Sequence, residues 1–241
     1  MRNTTEAKSI SRKPLWVHQL SRRSATVRPH WDRLWRSLRF TADGGAKRGF
    51  DIILSAMALL CIAPLWLVIV VWIKWEDGGP ILFSQTRVGK FGVPFQMYKF
   101  RSMRPDAEEM LSSLISQNEH AQGVTFKLKN DPRITRAGRW LRKFSFDELP
   151  QFFNVLRGEM SLVGPRPPIP REVKEYSLAD RRRLMAKPGI TCLWQISGRA
   201  EIDFHGQVEL DVRYIETRGF FGDIWILCKT VPAVLSGSGA Y

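Results

Sequence analysis

Asp147 and Glu148 stand side by side in Arg142-Lys143-Phe144-Ser145-Phe146-Asp147-Glu148-Leu149-Pro150-Gln151, with Arg142 before them and Arg166 after. Vicinal carboxylates can hold a divalent ion with one group while the other attacks phosphorus, and nearby arginines can neutralise phosphate oxygens. Positioning them falls to the run that follows. Leu149, Phe152, Phe153 and Leu156 carry the i, i+3, i+4, i+7 spacing of one helix face. Ser145 and Glu148 have capping-box spacing, and Pro150 is tolerated only in a first turn. The spacing therefore predicts Asp147 at a helix start, where unpaired amides and the dipole favour negative charge, phosphate included. An isolated S-x-D-E is usually no more than a cap. The arginines on both sides are what point to chemistry.

The chain has 241 residues, room for one sizeable domain and an appendage. It carries 37 Lys/Arg against 23 Asp/Glu. Residues 1–49 alone hold 12 Lys/Arg against 3 Asp/Glu, so most of the excess charge is N-terminal. That balance favours anionic partners: lipid headgroups, nucleic acid or nucleotide-sugar phosphates. No recognised nucleic-acid module follows the basic stretch, which argues against that class. Three cysteines, one of them inside an apolar run, make no disulfide framework, and no Cys/His cluster has zinc spacing. The composition fits a reducing, cytoplasm-facing protein.

Three regions follow. Residues 1–46 form a basic extension in which Trp31, Leu34, Trp35 and Leu38 share a helical face, the pattern of a helix lying on an anionic membrane; a disordered tail fits equally well. Residues 47–74 contain Ile52–Ile73, 22 residues without a charge. As a straight helix that run spans roughly 33 Å, enough to cross a bilayer. Pro64 near its middle favours a kink. Lys47 and Arg48 flank one end and Lys74, Arg87 and Lys90 follow the other, so the positive-inside rule pulls both ends to the cytoplasm. A re-entrant segment broken at Pro64 satisfies both.

Residues 75–241 read as a cytoplasmic domain. Ile81–Gln85 and Phe95–Phe100 predict a hairpin around Val88–Gly92, with Lys99 and Arg101 alternating onto one face that could meet a diphosphate. Residues 105–122 predict a helix. Ile134, Ala137, Leu141 and Phe144, studded with Arg136, Arg139, Arg142 and Lys143, predict an amphipathic stretch able to rest on the membrane. Val163-Gly164-Pro165-Arg166-Pro167-Pro168 is a rigid loop able to aim Arg166 back at the carboxylates. Lys187-Pro188-Gly189-Ile190-Thr191 to Gly198-Arg199 offers a Gly-framed loop whose Arg199 suits phosphate or sugar contact.

From Lys47-Arg48-Gly49-Phe50-Asp51 onward, through Phe83-x-Gln85-x-Arg87-x-Gly89, Lys99-Phe100-Arg101-Ser102-Met103, Phe146-Asp147-Glu148-Leu149-Pro150-Gln151, Gly164-Pro165-Arg166-Pro167 and Lys187–Arg199, the chain closely resembles the bacterial sugar transferases. These are monotopic phosphoglycosyl transferases that load a sugar phosphate onto polyprenyl phosphate. The resemblance implies an α+β, mainly helical fold: a small cytoplasmic catalytic domain with a short hairpin, interfacial amphipathic helices and one re-entrant, Pro-kinked membrane helix. It implies a UDP-sugar donor, an undecaprenyl phosphate acceptor, surrounding membrane lipids and magnesium (Mg²⁺), at the inner membrane with the domain facing the cytoplasm; it leaves room for a homodimer. It implies Asp147 as nucleophile, Glu148 as magnesium ligand, and Lys99, Arg142 and Arg166, with Arg101 and Arg199 less directly, as phosphate-binding groups. The family often has Ser before the bend proline where this chain has Ala63, so a hydroxyl-to-backbone bond is unavailable there. The C-terminal tail resembles hexose-phosphate-transferring members.

Other classes fit less well. Neither a P-loop nor a strand-linked G-x-G-x-x-G is present. Inverting glycosidases need separated carboxylates. A catalytically silent membrane adaptor would keep the anchor and basic surface without needing the paired acids.

Overall fold

The computed structural model describes residues 30–114, 131–198 and 202–236. The charge-free run lies in one long helix, α1 (His30–Asp77), which has Pro64 inside it. By length and composition its Gly44–Asp77 part is apolar enough to cross a membrane. Ile53, Met57, Leu60, Leu67, Val68, Val71 and Trp75 point outward and exposed, a surface that belongs in a bilayer rather than in water. The expected face of Trp31, Leu34, Trp35 and Leu38 lies outside the described side chains, and the extension before His30 lies outside the described residues.

The rest of α1 is built into the protein. Phe50 and Leu54 pack on a core of Met97, Val155, Met160, Leu162, Val163, Tyr214 and Ile226. Ile69 and Ile73 form a second core with Phe100 and Leu141. Polar groups flanking its apolar run then fasten two other helices. Glu76 accepts from the first amides of α3 (Arg136–Lys143), at 2.7 Å from Arg136 N and 2.9 Å from Ala137 N, the place where a carboxylate offsets the helix dipole. Arg48 donates to the Val155 and Leu156 carbonyls, 2.6 and 2.8 Å, at the opposite pole of α4 (Gln151–Arg157).

Strands β1 (Leu82–Val88) and β2 (Pro94–Phe100) form the expected antiparallel hairpin, pairing Leu82 with Phe100 and Val88 with Pro94. After α2 (Ala107–Leu114) and α3 comes a pair absent from the sequence reading. β3 (Ser161–Val163) and β4 (Gly189–Thr191) run parallel, joined through α5 (Pro170–Lys174) and a 3-10 stretch, Asp180–Met185. Their approach is close enough to require glycine: a Cβ on Gly189 would lie 2.1 Å from the Gly164 nitrogen. Helices α6 (Leu193–Ser197), α7 (Phe204–Thr217) and α8 (Phe220–Ser236) complete the domain. The architecture is mainly helical, with short two-stranded sheets and one long apolar helix.

Helix α3 is buried along one side. Its apolar side faces inward, with Ala137 and Leu141 each 1% exposed, because Leu141 is needed in the core under α1. Trp140 remains partly outside, stacked among Trp72, Phe144 and Phe146.

Candidate active site

The acidic pair sits on a turn rather than at a capped helix start. Ser145 is left-handed (φ 55°) and Phe146–Glu148 form a 3-10 turn; α4 begins at Gln151, after Pro150. Ser145 makes no side-chain cap. An N-cap needs extended backbone to bring its oxygen over the following amides, and Ser145 does not have it. Its carbonyl instead accepts from Glu148 N at 3.2 Å. The face of α4 also differs from the apolar periodicity. Gln151, Asn154 and Val155 are buried, whereas Phe153 is largely exposed beside Trp66. Asn154 explains why. Its Oδ1 accepts from Tyr98 N at 3.1 Å, and its Nδ2 donates to Gln96 O and Glu159 Oε2, both at 2.6 Å. One amide thus ties α4 to β2 and sets Lys99 over the turn.

Lys99 reaches both acids, with Nζ 2.6 Å from Glu148 Oε1 and 3.6 Å from Asp147 Oδ2. Burial pushes the Asp147 carboxyl up, and the Glu148 charge adds to the effect, against Lys99 and Arg142. Burial also opposes the Glu148 charge, but Lys99, with Arg166 and Arg87 behind it, outweighs that and holds Glu148 below the usual range. The two carboxylates are therefore unequal: one deep and raised, the other more open and firmly ionised.

Of the expected basic residues, the structure brings Lys99 into contact and Arg142 and Arg166 into electrostatic range. Arg166 lies on the Pro-rich loop, with Nη1 3.8 Å from Glu172 Oε1. Arg101 does not join them. It is 7% exposed and paired through both terminal nitrogens with Asp77 at the end of α1, because the strand ends at Phe100 and the alternation with Lys99 lapses. Arg199 lies outside the described residues.

Arg87 was not among the expected site residues. It is buried and donates to Pro167 O at 3.0 Å, which steadies the Arg166 loop. Burial lowers its guanidinium to about 10, with Arg166 contributing, yet it stays charged and acts on Glu148. Its signal in sequence was its place in Phe83-x-Gln85-x-Arg87-x-Gly89.

Among the described residues no third His, Cys, Asp or Glu joins Asp147 and Glu148 in a metal-binding group. The pair still suits magnesium, which takes one or two carboxylates and completes its shell with water and substrate phosphate. Lys99 already shows that the two oxygens draw a cation between them.

Residues 42–237 match the model of the bacterial sugar transferase family. The chain is 50% identical to the galactosyl transferase CpsE of Streptococcus agalactiae, over 81% of this chain and 43% of that protein. It is 47% identical to the undecaprenyl-phosphate galactose phosphotransferase of Salmonella typhimurium, over 86% and 43%. It is 42% identical to the exopolysaccharide production protein ExoY of Rhizobium meliloti, over 82% and 89%. The chain thus spans under half the length of the first two relatives and most of the third. With the match covering the apolar helix, the acidic turn and the Pro-rich loop together, the chain belongs to the bacterial sugar transferase family.

Proposed function

We propose that this protein transfers a sugar 1-phosphate, a hexose phosphate in our reading, from a UDP-sugar to undecaprenyl phosphate. The products are undecaprenyl-diphosphate-sugar and UMP, the first membrane step in assembling an exopolysaccharide, capsule or O-antigen-type glycan. The observation that carries this reading is one lysine set between a buried aspartate and its glutamate neighbour, with arginines behind. The Salmonella relative, an undecaprenyl-phosphate galactose phosphotransferase, supports the acceptor and the hexose phosphate, and the Rhizobium relative, an exopolysaccharide production protein, supports the pathway.

An Asp147 oxygen attacks the phosphorus bearing the sugar; the bond to the UMP oxygen breaks and UMP departs, leaving an aspartyl-phosphosugar. An oxygen of undecaprenyl phosphate then attacks that phosphorus and Asp147 leaves as carboxylate. Attack by an anion on an anion needs fixed positive charge in a water-poor place, and Lys99, Arg142 and Arg166 supply it around a carboxylate only 6% exposed. Glu148 would hold magnesium, which supplies charge neutralisation across the diphosphate. Arg87 positions the Arg166 loop.

A segment that returns to the cytoplasmic face suits this chemistry, since the acceptor phosphate lies at the interface. What supports it is the basic residue at each end of the apolar run, Arg48 and Lys74, which the positive-inside rule draws to one side.

Intact mass after mixing with UDP-glucose, UDP-galactose or UDP-N-acetylhexosamines and magnesium, without acceptor, tests the reading. The expected result is a sugar-phosphate adduct, absent in Asp147→Asn. Wild-type turnover in that variant would remove Asp147 as nucleophile. No product from any donor, with or without undecaprenyl phosphate, would sink the transferase reading for this chain.

A further inference from the structure

Glu172 is a buried carboxylate, 5% exposed, to which the transfer chemistry gives no task. Its two oxygens do different work. Oε2 accepts from Ile169 N at 3.0 Å, closing the start of α5. Oε1 faces Arg166, 3.8 Å from Nη1. The first contact needs only an acceptor, and a glutamine supplies one equally well at that position. A buried negative charge, by contrast, costs stability unless a cation answers it. The charge of Glu172 therefore belongs to a guanidinium rather than to the cap.

Three guanidiniums lie in its field: Arg87, Arg166 and Arg183. Arg183 is already joined to Asp211, and Arg87 donates to Pro167 O. For Arg166, Glu172 is the carboxylate within ion-pair distance among the described residues.

Arg166 needs such a partner. Its loop is fastened through backbone, since Val88 N donates to Pro168 O at 2.9 Å and Arg87 reaches Pro167 O. Those contacts hold the loop but not the Arg166 side chain, which keeps 36% of its surface. Arg87 also repels it. Burial lowers the Arg87 pKa, Arg166 adds to the fall, and Glu172 opposes it. Without Glu172, that repulsion would turn the Arg166 side chain out to solvent and away from Glu148, on which it acts. Arginine's planar fork lets one nitrogen answer a carboxylate while others stay available to phosphate oxygens.

We propose that Glu172 is a positioning residue for sugar-phosphate transfer: it holds the Arg166 guanidinium beside the acidic turn, already ordered when the donor diphosphate arrives. The assignment rests on the transferase reading.

Steady-state kinetics of the full chain in membranes tests this with Glu172→Gln, using undecaprenyl phosphate and whichever of UDP-glucose, UDP-galactose or the UDP-N-acetylhexosamines gives the adduct. Glutamine keeps the Ile169 contact, so the melting temperature should hold. The donor KM should rise about tenfold with kcat within about twofold, because Arg166 meets phosphate charge present before and during transfer. In an Arg166→Ala background the same change should add nothing, since two members of one interaction are not additive. An unchanged donor KM, or an equal rise in both backgrounds, would overturn the assignment. Should Glu172→Gln fail to fold, Glu172→Asp takes its place in the same comparison, with the carboxylate drawn one carbon back from Arg166. Wild-type protein without turnover would sink the transferase reading and this assignment with it. Wild-type turnover with unmoved variants sinks the assignment alone.

Discussion

The turn at Asp147 and the interior around Asp211 use the same materials to opposite ends. At Asp211 one guanidinium meets one carboxylate. Arg183 and Asp211 are 4% and 0% exposed by side chain, and Arg183 also donates to the Tyr176 hydroxyl at 3.1 Å. Burial pushes Asp211 up to about 6 despite Arg183, so it remains ionised at neutral pH, and Tyr176 rises to about 12. Charges there are matched one to one and sealed. At the turn, one ammonium serves two carboxylates, and Lys99 and Glu148 keep 23% and 26% of their side-chain surface. A lysine is a mobile point charge, whereas arginine's planar fork fixes geometry. Matched and closed charge is architecture; mismatched and half-open charge is a place for substrate.

That contrast can be broken by mutation. Asp147→Asn should cost at least three decades of turnover, about 4 kcal/mol of barrier, while leaving the melting temperature unchanged or higher, since a buried charge is removed. A matching loss of stability would make Asp147 architectural too. Arg183→Met should do the reverse, destabilising by about 3–5 kcal/mol because Asp211 is left buried and unpaired. Denaturant unfolding checks it, and near-wild-type stability would mean the pair is dispensable.

Lys99→Gln should lower kcat/KM by about two decades and move its acid limb to higher pH. The sign follows from Asp147. Its pKa is already raised by burial and Lys99 is the main group opposing that rise, so losing Lys99 means the carboxylate ionises only at higher pH. An acid limb that stays put would separate Lys99 from Asp147. Glu148→Gln should have the smallest effect, raising the magnesium needed for half-maximal rate by about tenfold. An unchanged magnesium titration would contradict Glu148 as ligand.

Sequence pattern located the hairpin and the apolar helix well, since both rest on strong local periodicity. It marked Asp147, Glu148 and Lys99, which the fold brings together, but misread how they are held. The capping box failed because spacing says nothing of φ, and Ser145 is left-handed. The face of α4 was misread because apolar counting ignores a buried amide such as Asn154, whose value lies in strand backbone more than fifty residues away. The same long reach hid the parallel β3–β4 pair, Arg87 under Pro167, and the pairing of Arg101 with Asp77.

The anchoring of α1 also imposes an order of assembly. Arg48 and Asp51 find their partners 107 and 111 residues later in the chain. At about 5–20 residues per second, a ribosome needs roughly 5–20 s to make that stretch. Through that interval the newborn helix sits with a guanidinium and a carboxylate unanswered at its root. The helix is therefore complete before its domain exists, and the domain condenses upon a helix already made.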